Sequence, residues 1–139
     1  MKVVIDTKVF VSSFLETAGA PRKILELWKR GEIEICLSDE IVTEYINVLF
    51  RIGLKGEEEI GELLELLNRK VNIIFASTEK TLQLIGADPG DDKFVECAVV
   101  ANADIIISTD KHLLDLKEYK HMKVLTPPEF IEQIHKNKK

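Results

Sequence analysis

Four carboxylates, Asp6, Glu44, Asp91 and Asp110, stand where an acid is costly unless it has a partner or a chemical role. Asp6 closely follows Val3-Val4-Ile5, and Asp110 closely follows Ile105-Ile106-Ile107. Such β-branched runs read as buried parallel strands. Glu44 follows Ile41 by three residues and precedes Val48 by four, so helical spacing puts it on an apolar row. Asp91 precedes Phe94 and Val95 by three and four, near the buried side of a helix start. If the four converge, like charges a few ångströms apart cannot all stay ionised. Either their pKa values rise or a divalent cation neutralises them. Oxygen-only ligands suit Mg²⁺ or Mn²⁺ better than zinc. An ion of that kind makes water a better nucleophile and stabilises charge developing on a phosphodiester. The chemistry indicated is metal-assisted hydrolysis of a nucleic-acid backbone.

Each acid also has a plain structural reading. Asp6 can cap the helix that follows it, Glu44 can pair with Lys or Arg, and Asp91 or Asp92 can cap their own helix. Asp110 can cap a short helix through His112. Singly, these residues do not separate the two readings; the chemistry rests on the four together.

The elements that must position them alternate between strand and helix. A strand over Val3–Ile5 leads to a helix over Val9–Leu15. Ala20-Pro21 opens a second helix that Gly31 stops, and Ile33–Leu37 is a second strand. Ser38 caps a third helix running to about Ile52, with Ile41, Tyr45, Val48, Leu49 and Ile52 as its stripe. An amphipathic helix over Glu57–Lys70 turns Ile60, Leu63, Leu64 and Leu67 inward. A strand over Val71–Phe75, a short helix over Glu79–Ile85 and a turn at Asp88-Pro89-Gly90 follow. From Asp91 a helix carries Phe94, Val95, Ala98 and Ala101. Ile105–Ile107 is the fourth strand, His112–Leu116 a short helix and Lys123–Thr126 the fifth strand. Pro127-Pro128 starts a last helix with Phe130, Ile131 and Ile134. This order predicts a three-layer α/β/α fold whose central, mainly parallel sheet has about five strands. Residues 1–135 form one domain, and 136–139 a basic tail.

Composition sets bounds. With 139 residues, 45% hydrophobic and 31% charged, the chain is an ordinary globular domain. No apolar run approaches a membrane span and no signal peptide is read, so a cytoplasmic location is expected. Cys36 and Cys97 lack metal-ligand spacing and read as buried, reduced thiols. His112, His121 and His135 likewise show no ligand spacing, and no glycine-rich phosphate loop is present. The net charge of −5 argues against broad adhesion to nucleic acid, though not against a local basic rim. Arg22, Lys23, Lys29 and Arg30 form a basic helix side, open to reading as an RNA path or as a solvated surface.

Three segments carry a family resemblance: VVIDTKVFVSSFL, LSDEIVTEYINVL and DPGDDKFVECAVVANADIIISTDKHLL. Together they resemble the PIN domain, in particular the VapC-like toxin ribonucleases of prokaryotic toxin–antitoxin pairs. The resemblance implies a ribonuclease with a Mg²⁺ or Mn²⁺ site on which Asp6, Glu44, Asp91 and Asp110 fall. Asp91 rather than Asp92 matches the family acid, because Phe94 follows it by three; Asp92 would support it from outside. Ser108 and Thr109, next to the last acid, would orient water or a ligand, with Thr7 as a supporting residue. The resemblance also implies a homodimer held inactive by an antitoxin protein. One departure is Lys8, where relatives carry Asn: its ammonium could sit among the carboxylates and weaken cation binding, or swing out to RNA phosphate. Lys8 thus motivates a second reading, a catalytically weakened module that binds RNA or protein. A phosphotransfer protein, either a receiver or a haloacid-dehalogenase-type phosphatase, is disfavoured because Lys8 stands where the phosphatase needs Asp and only one acid follows the first strand.

Overall fold

The computed structural model describes residues 1–52, 57–77, 89–119 and 121–137, and their side chains except those of 57–60, 89–92 and 137. The elements run β1 Lys2–Ile5, α1 Thr7–Leu15, α2 Ala20–Lys29, β2 Glu34–Leu37, α3 Asp39–Arg51, α4 Glu57–Asn68 and β3 Ile73–Phe75. They continue with α5 Pro89–Ala101, β4 Ile105–Ile107, α6 Lys111–Leu114, β5 Glu118–Tyr119, β6 Met122–Leu125 and α7 Pro127–Asn137. The sheet has the order β3-β2-β1-β4-β6-β5, parallel throughout except for the β5–β6 pair.

That order decides where a site can form. From β1 the chain steps outward to β2 and β3, then returns through α5 to β4 on the other side of β1. Right-handed crossovers in opposite directions put α1–α2 and α5 on opposite faces of the sheet. α5 packs across β1, β2 and β4, whereas α1 packs on α2 and α3, and α2 on α7. The carboxyl ends of β1 and β4 therefore part company at a topological switch point, where open α/β sheets leave a crevice.

Hydrophobic burial fixes this frame. Val3, Val4, Ile35 and Ile107 are fully buried, as strands covered on both faces require. Phe10 stacks on Tyr45 with ring centroids 3.9 Å apart and planes 5° from parallel, and meets Trp28 at 6.2 Å. The Trp28 indole donates to the Val71 carbonyl at 2.7 Å, which satisfies its polar edge inside the core. At the end of α2, Gly31 takes φ +78° against the Asn72 side chain, a conformation L side chains rarely adopt.

Several expectations shift. Among the described residues the sheet has six strands, because Glu118–Tyr119 adds an antiparallel edge too short to show a period. Pro89 and Gly90 form the first turn of α5 rather than a reverse turn, since proline suits a helix start equally well. Ile52 and Leu64 are about half exposed instead of inward; Leu63, Leu66 and Leu67 supply the α4 contacts to the core. The helix expected over Glu79–Ile85 lies outside the described residues. α7 extends to Asn137, two residues into the expected tail.

Two predictions arise from the scaffold. At the head of α7, Thr126 N–H donates to Glu129 Oε1 at 2.9 Å and Glu129 N–H donates to Thr126 Oγ1 at 3.3 Å, a reciprocal capping box. Thr126→Ala is expected to destabilise the fold by about 1 kcal/mol, read from urea midpoints. Both cysteines are free and buried, and burial pushes the Cys36 thiol up to about 11 and that of Cys97 to about 12. At pH 8 both are expected to resist a disulfide reagent until urea unfolds the chain. Because these pKa values are raised in the fold, their contribution is intact below about pH 9 and is lost as pH climbs through 11 to 12.

Candidate active site

β1 ends in Ile5, and Asp6 turns the chain into α1 as its N-cap. Its Oδ1 accepts from Val9 N–H at 2.9 Å. Its Oδ2 accepts from the Ser108 hydroxyl and from Thr109 N–H at 3.3 Å. Asp6 N–H donates to the Ile107 carbonyl at 3.0 Å, so the acid is clamped between β1 and β4 at the switch point. It is only 5% exposed. Burial raises its pKa, and the charge of Asp110 adds to that effect, against the lowering by the Ser108, Val9 and Thr109 hydrogen bonds.

Asp110 sits just beyond β4. Its Oδ1 caps α6 through His112 N–H at 2.8 Å, and its own N–H donates to Ser108 Oγ at 2.8 Å. The fully buried Ser108 hydroxyl therefore accepts from Asp110 and donates to Asp6, linking the two acid-bearing segments. Glu44 comes from α3, where the Ser38 cap sets the helix start. Its Oε2 accepts from the Thr7 hydroxyl, and its Oε1 pairs with Lys93 Nζ at 2.7 Å.

Asp6, Thr7, Lys8, Glu44, Phe94, Thr109 and Asp110 line one cleft of about 260 Å³. Three of the four acids read from the sequence thus line one cleft. The fourth, Asp91, and its neighbour Asp92 stand in the first turns of α5, and their side chains lie outside those described. The structural readings of Asp6 and Asp110 as caps and of Glu44 as an ion-pair partner are all present. Lys8 is exposed at the cleft and makes no ion pair with a described residue; Glu44 pairs instead with Lys93.

The basic side of α2 is largely neutralised. Arg22 pairs with Glu26 at 3.4 Å, Arg30 with Glu32 at 3.5 Å, and Lys29 with Glu62, contacts in keeping with the solvated-surface reading. Sequence reasoning missed Lys93 and the buried Glu96 one turn further along α5. The available signal was a glutamate between Val95 and Cys97 in an otherwise apolar stretch.

As donors, Asp6 and Asp110 offer only oxygen, and the first is a desolvated carboxylate whose charge needs compensation. Both fit a hard divalent cation. Among the described residues, no three His, Cys, Asp or Glu side chains gather around one point, so the fit rests on this pair. Nor is any helix among the described residues long and apolar enough to cross a membrane.

Fold and cleft together define a doubly wound α/β domain with an acidic site at its switch point. A PIN domain model matches residues 2–112. The chain is also 34% identical to the uncharacterized protein MJ1680 of Methanocaldococcus jannaschii, over 98% of this chain and 93% of that protein. The chain belongs to the PIN domain family. The PIN fold is a nuclease fold, in general metal-dependent, and the family points to RNA as ligand.

Proposed function

We propose that the protein is a metal-dependent endoribonuclease that hydrolyses RNA phosphodiesters, the toxin of a toxin–antitoxin pair and a homodimer. The observation that carries this reading is Asp6: a buried carboxylate at the switch point, sharing its cleft with Asp110 and Glu44. Asp6, Asp110 and Asp91 would hold Mg²⁺ or Mn²⁺, with Glu44 at the margin and Asp92 behind. The ion supplies charge neutralisation at the phosphate and activation of water. The chain's own residues do the rest. Ser108 holds Asp6 and the Asp110 backbone in register, Thr7 orients Glu44, and Thr109 fixes the second Asp6 oxygen. Lys8, exposed at the cleft mouth, reaches outward to phosphate as a point charge.

The test is cleavage of single-stranded RNA with Mg²⁺ or Mn²⁺ by the native chain, Asp6→Asn and Asp91→Asn. Loss of cleavage in both variants is expected; equal cleavage by all three overturns the assigned site. The weakened-module reading keeps one supporting observation, that both Glu44 oxygens are already engaged. Calorimetry with Mn²⁺ separates the two: binding by the native chain favours the enzyme, and binding only after Lys8→Asn favours the module.

A further inference from the structure

Glu44 is a shared wall. Behind it, a second and larger groove of about 450 Å³ runs along α3. Thr43, Glu44, Asn47, Arg51 and Lys93 line it. Glu44, Asn47 and Arg51 stand at positions i, i+3 and i+7, one face of the helix. At 1.5 Å per residue, Arg51 lies about 10 Å beyond Glu44. Lys93 stands beside Glu44 in the groove, its side chain 14% exposed and held by that carboxylate. Arg51 is exposed at the foot and makes no ion pair with a described residue. Between the levels of Glu44 and Arg51 lies the amide of Asn47, able to donate and accept, while the Thr43 hydroxyl stands on the other side of Glu44. Asp39 and Glu40 line the opposite end, where α3 begins.

Two cations with the neutral Asn47 amide between them, in a groove that shares Glu44 with the acidic cleft, suit a sugar–phosphate strand one or two nucleotides long. We propose that the α3 groove holds the RNA strand flanking the cut phosphate, with backbone phosphates on Lys93 and Arg51. Glu44 then serves as the positioning residue for the Lys93 ammonium. The inference rests on the ribonuclease reading above and adds the path of its substrate.

Binding is measured on the Asp6→Asn chain, so that holding RNA and cutting it are separate readouts. Anisotropy of a labelled six-nucleotide single strand is followed between about 50 and 200 mM salt. Arg51→Gln is expected to weaken binding roughly three- to tenfold at low salt, and to reduce the salt slope by about 0.7, the share of one phosphate contact on a single strand. Lys93→Gln should act alike, with Lys93→Arg restoring most of the affinity. Glu44→Gln combined with Lys93→Gln should be no worse than Lys93→Gln alone, because Glu44 acts through the lysine. Mn²⁺ affinity of the otherwise native chain should stay within about threefold after Arg51→Gln, since a phosphate contact is not a metal ligand. Arg51 is exposed, so its variant keeps the test sound if Lys93→Gln fails to fold. Unchanged affinity and salt slope in the Arg51 variant overturn the proposal, whether RNA runs elsewhere or the groove takes a protein. A slope change in a protein whose native form cuts no RNA keeps the groove and removes the nuclease.

Discussion

Asp6→Asn is expected to abolish RNA cleavage and, in EDTA, to raise the melting temperature. The loss should reach at least the roughly 10²–10³-fold typical of removing one preorganised charge-stabilising group. The gain in stability follows from burial. Asp6 is 5% exposed, and its carboxyl is harder to ionise in the fold than in the unfolded chain, chiefly through desolvation. A group whose pKa is raised by folding supports the fold below its unfolded pKa, near 3.8, and loses that support as pH rises through the folded value. At neutral pH the native chain therefore carries a buried charge that works against folding, and Asn carries none. Asn can still accept from Val9 N–H and can donate to the Ser108 hydroxyl, so the cap survives the change. The stability difference should be smallest near pH 3, grow as pH rises, and level off once Asp6 is ionised. Mn²⁺ should raise the melting temperature of the native chain, by binding the folded state alone, and leave that of Asp6→Asn nearly unmoved. Thermal melts at several pH values, with EDTA and with Mn²⁺, check this. A variant less stable than the native chain at pH 7 in EDTA would show that the carboxylate's hydrogen bonds outweigh its desolvation.

How far residues announced this arrangement depended on the range of the interaction that fixed it. Val3-Val4-Ile5 and Ile105-Ile106-Ile107 were legible because a strand buried on both faces needs an unbroken apolar run. Ser38 and Asp6 were legible as caps because capping is local, with donor and acceptor three residues apart. That Asp6 and Asp110 share a cleft depends on β1 and β4 being parallel neighbours, a pairing between strands about a hundred residues apart that no local pattern announces. The Lys93–Glu44 pair was not legible, because it depends on α3 and α5 approaching each other from 49 positions apart in the chain. Nothing near Lys8 marks it as solvent-facing rather than acid-facing; that choice is settled by the direction in which α1 leaves the sheet. The antiparallel strand Glu118–Tyr119 has two residues, too few for any period. Leu64 was misplaced because an apolar stripe marks a helix face to within about one position, and α4 is rotated so that Leu66 meets the core instead.

Phe10→Ala and Tyr45→Phe test whether the aromatic stack behind β1 holds the site as well as the fold. Phe10 is 1% exposed, and its ring lies flat on Tyr45 at 3.9 Å while also meeting Phe14 at 5.2 Å. Truncation removes the buried ring and leaves a void, an expected loss of about 3–5 kcal/mol. Against a total stability of roughly 5–15 kcal/mol, that brings the domain near unfolding at moderate temperature. Tyr45→Phe keeps the ring and removes one contact. The Tyr45 hydroxyl donates to the Ile5 carbonyl, the residue immediately before Asp6, and burial holds the phenol well above its ordinary pKa, so it stays a donor. Its loss should destabilise the fold by about 1–3 kcal/mol. It should also slow RNA cleavage although the hydroxyl is not among the groups lining the cleft, because the β1 terminus that aims Asp6 loses its tether. Urea denaturation reads the first effect and single-turnover cleavage the second. A Tyr45→Phe chain that is destabilised yet cleaves at the native rate would show that β4, through Ser108 and Thr109, is sufficient to aim the acid.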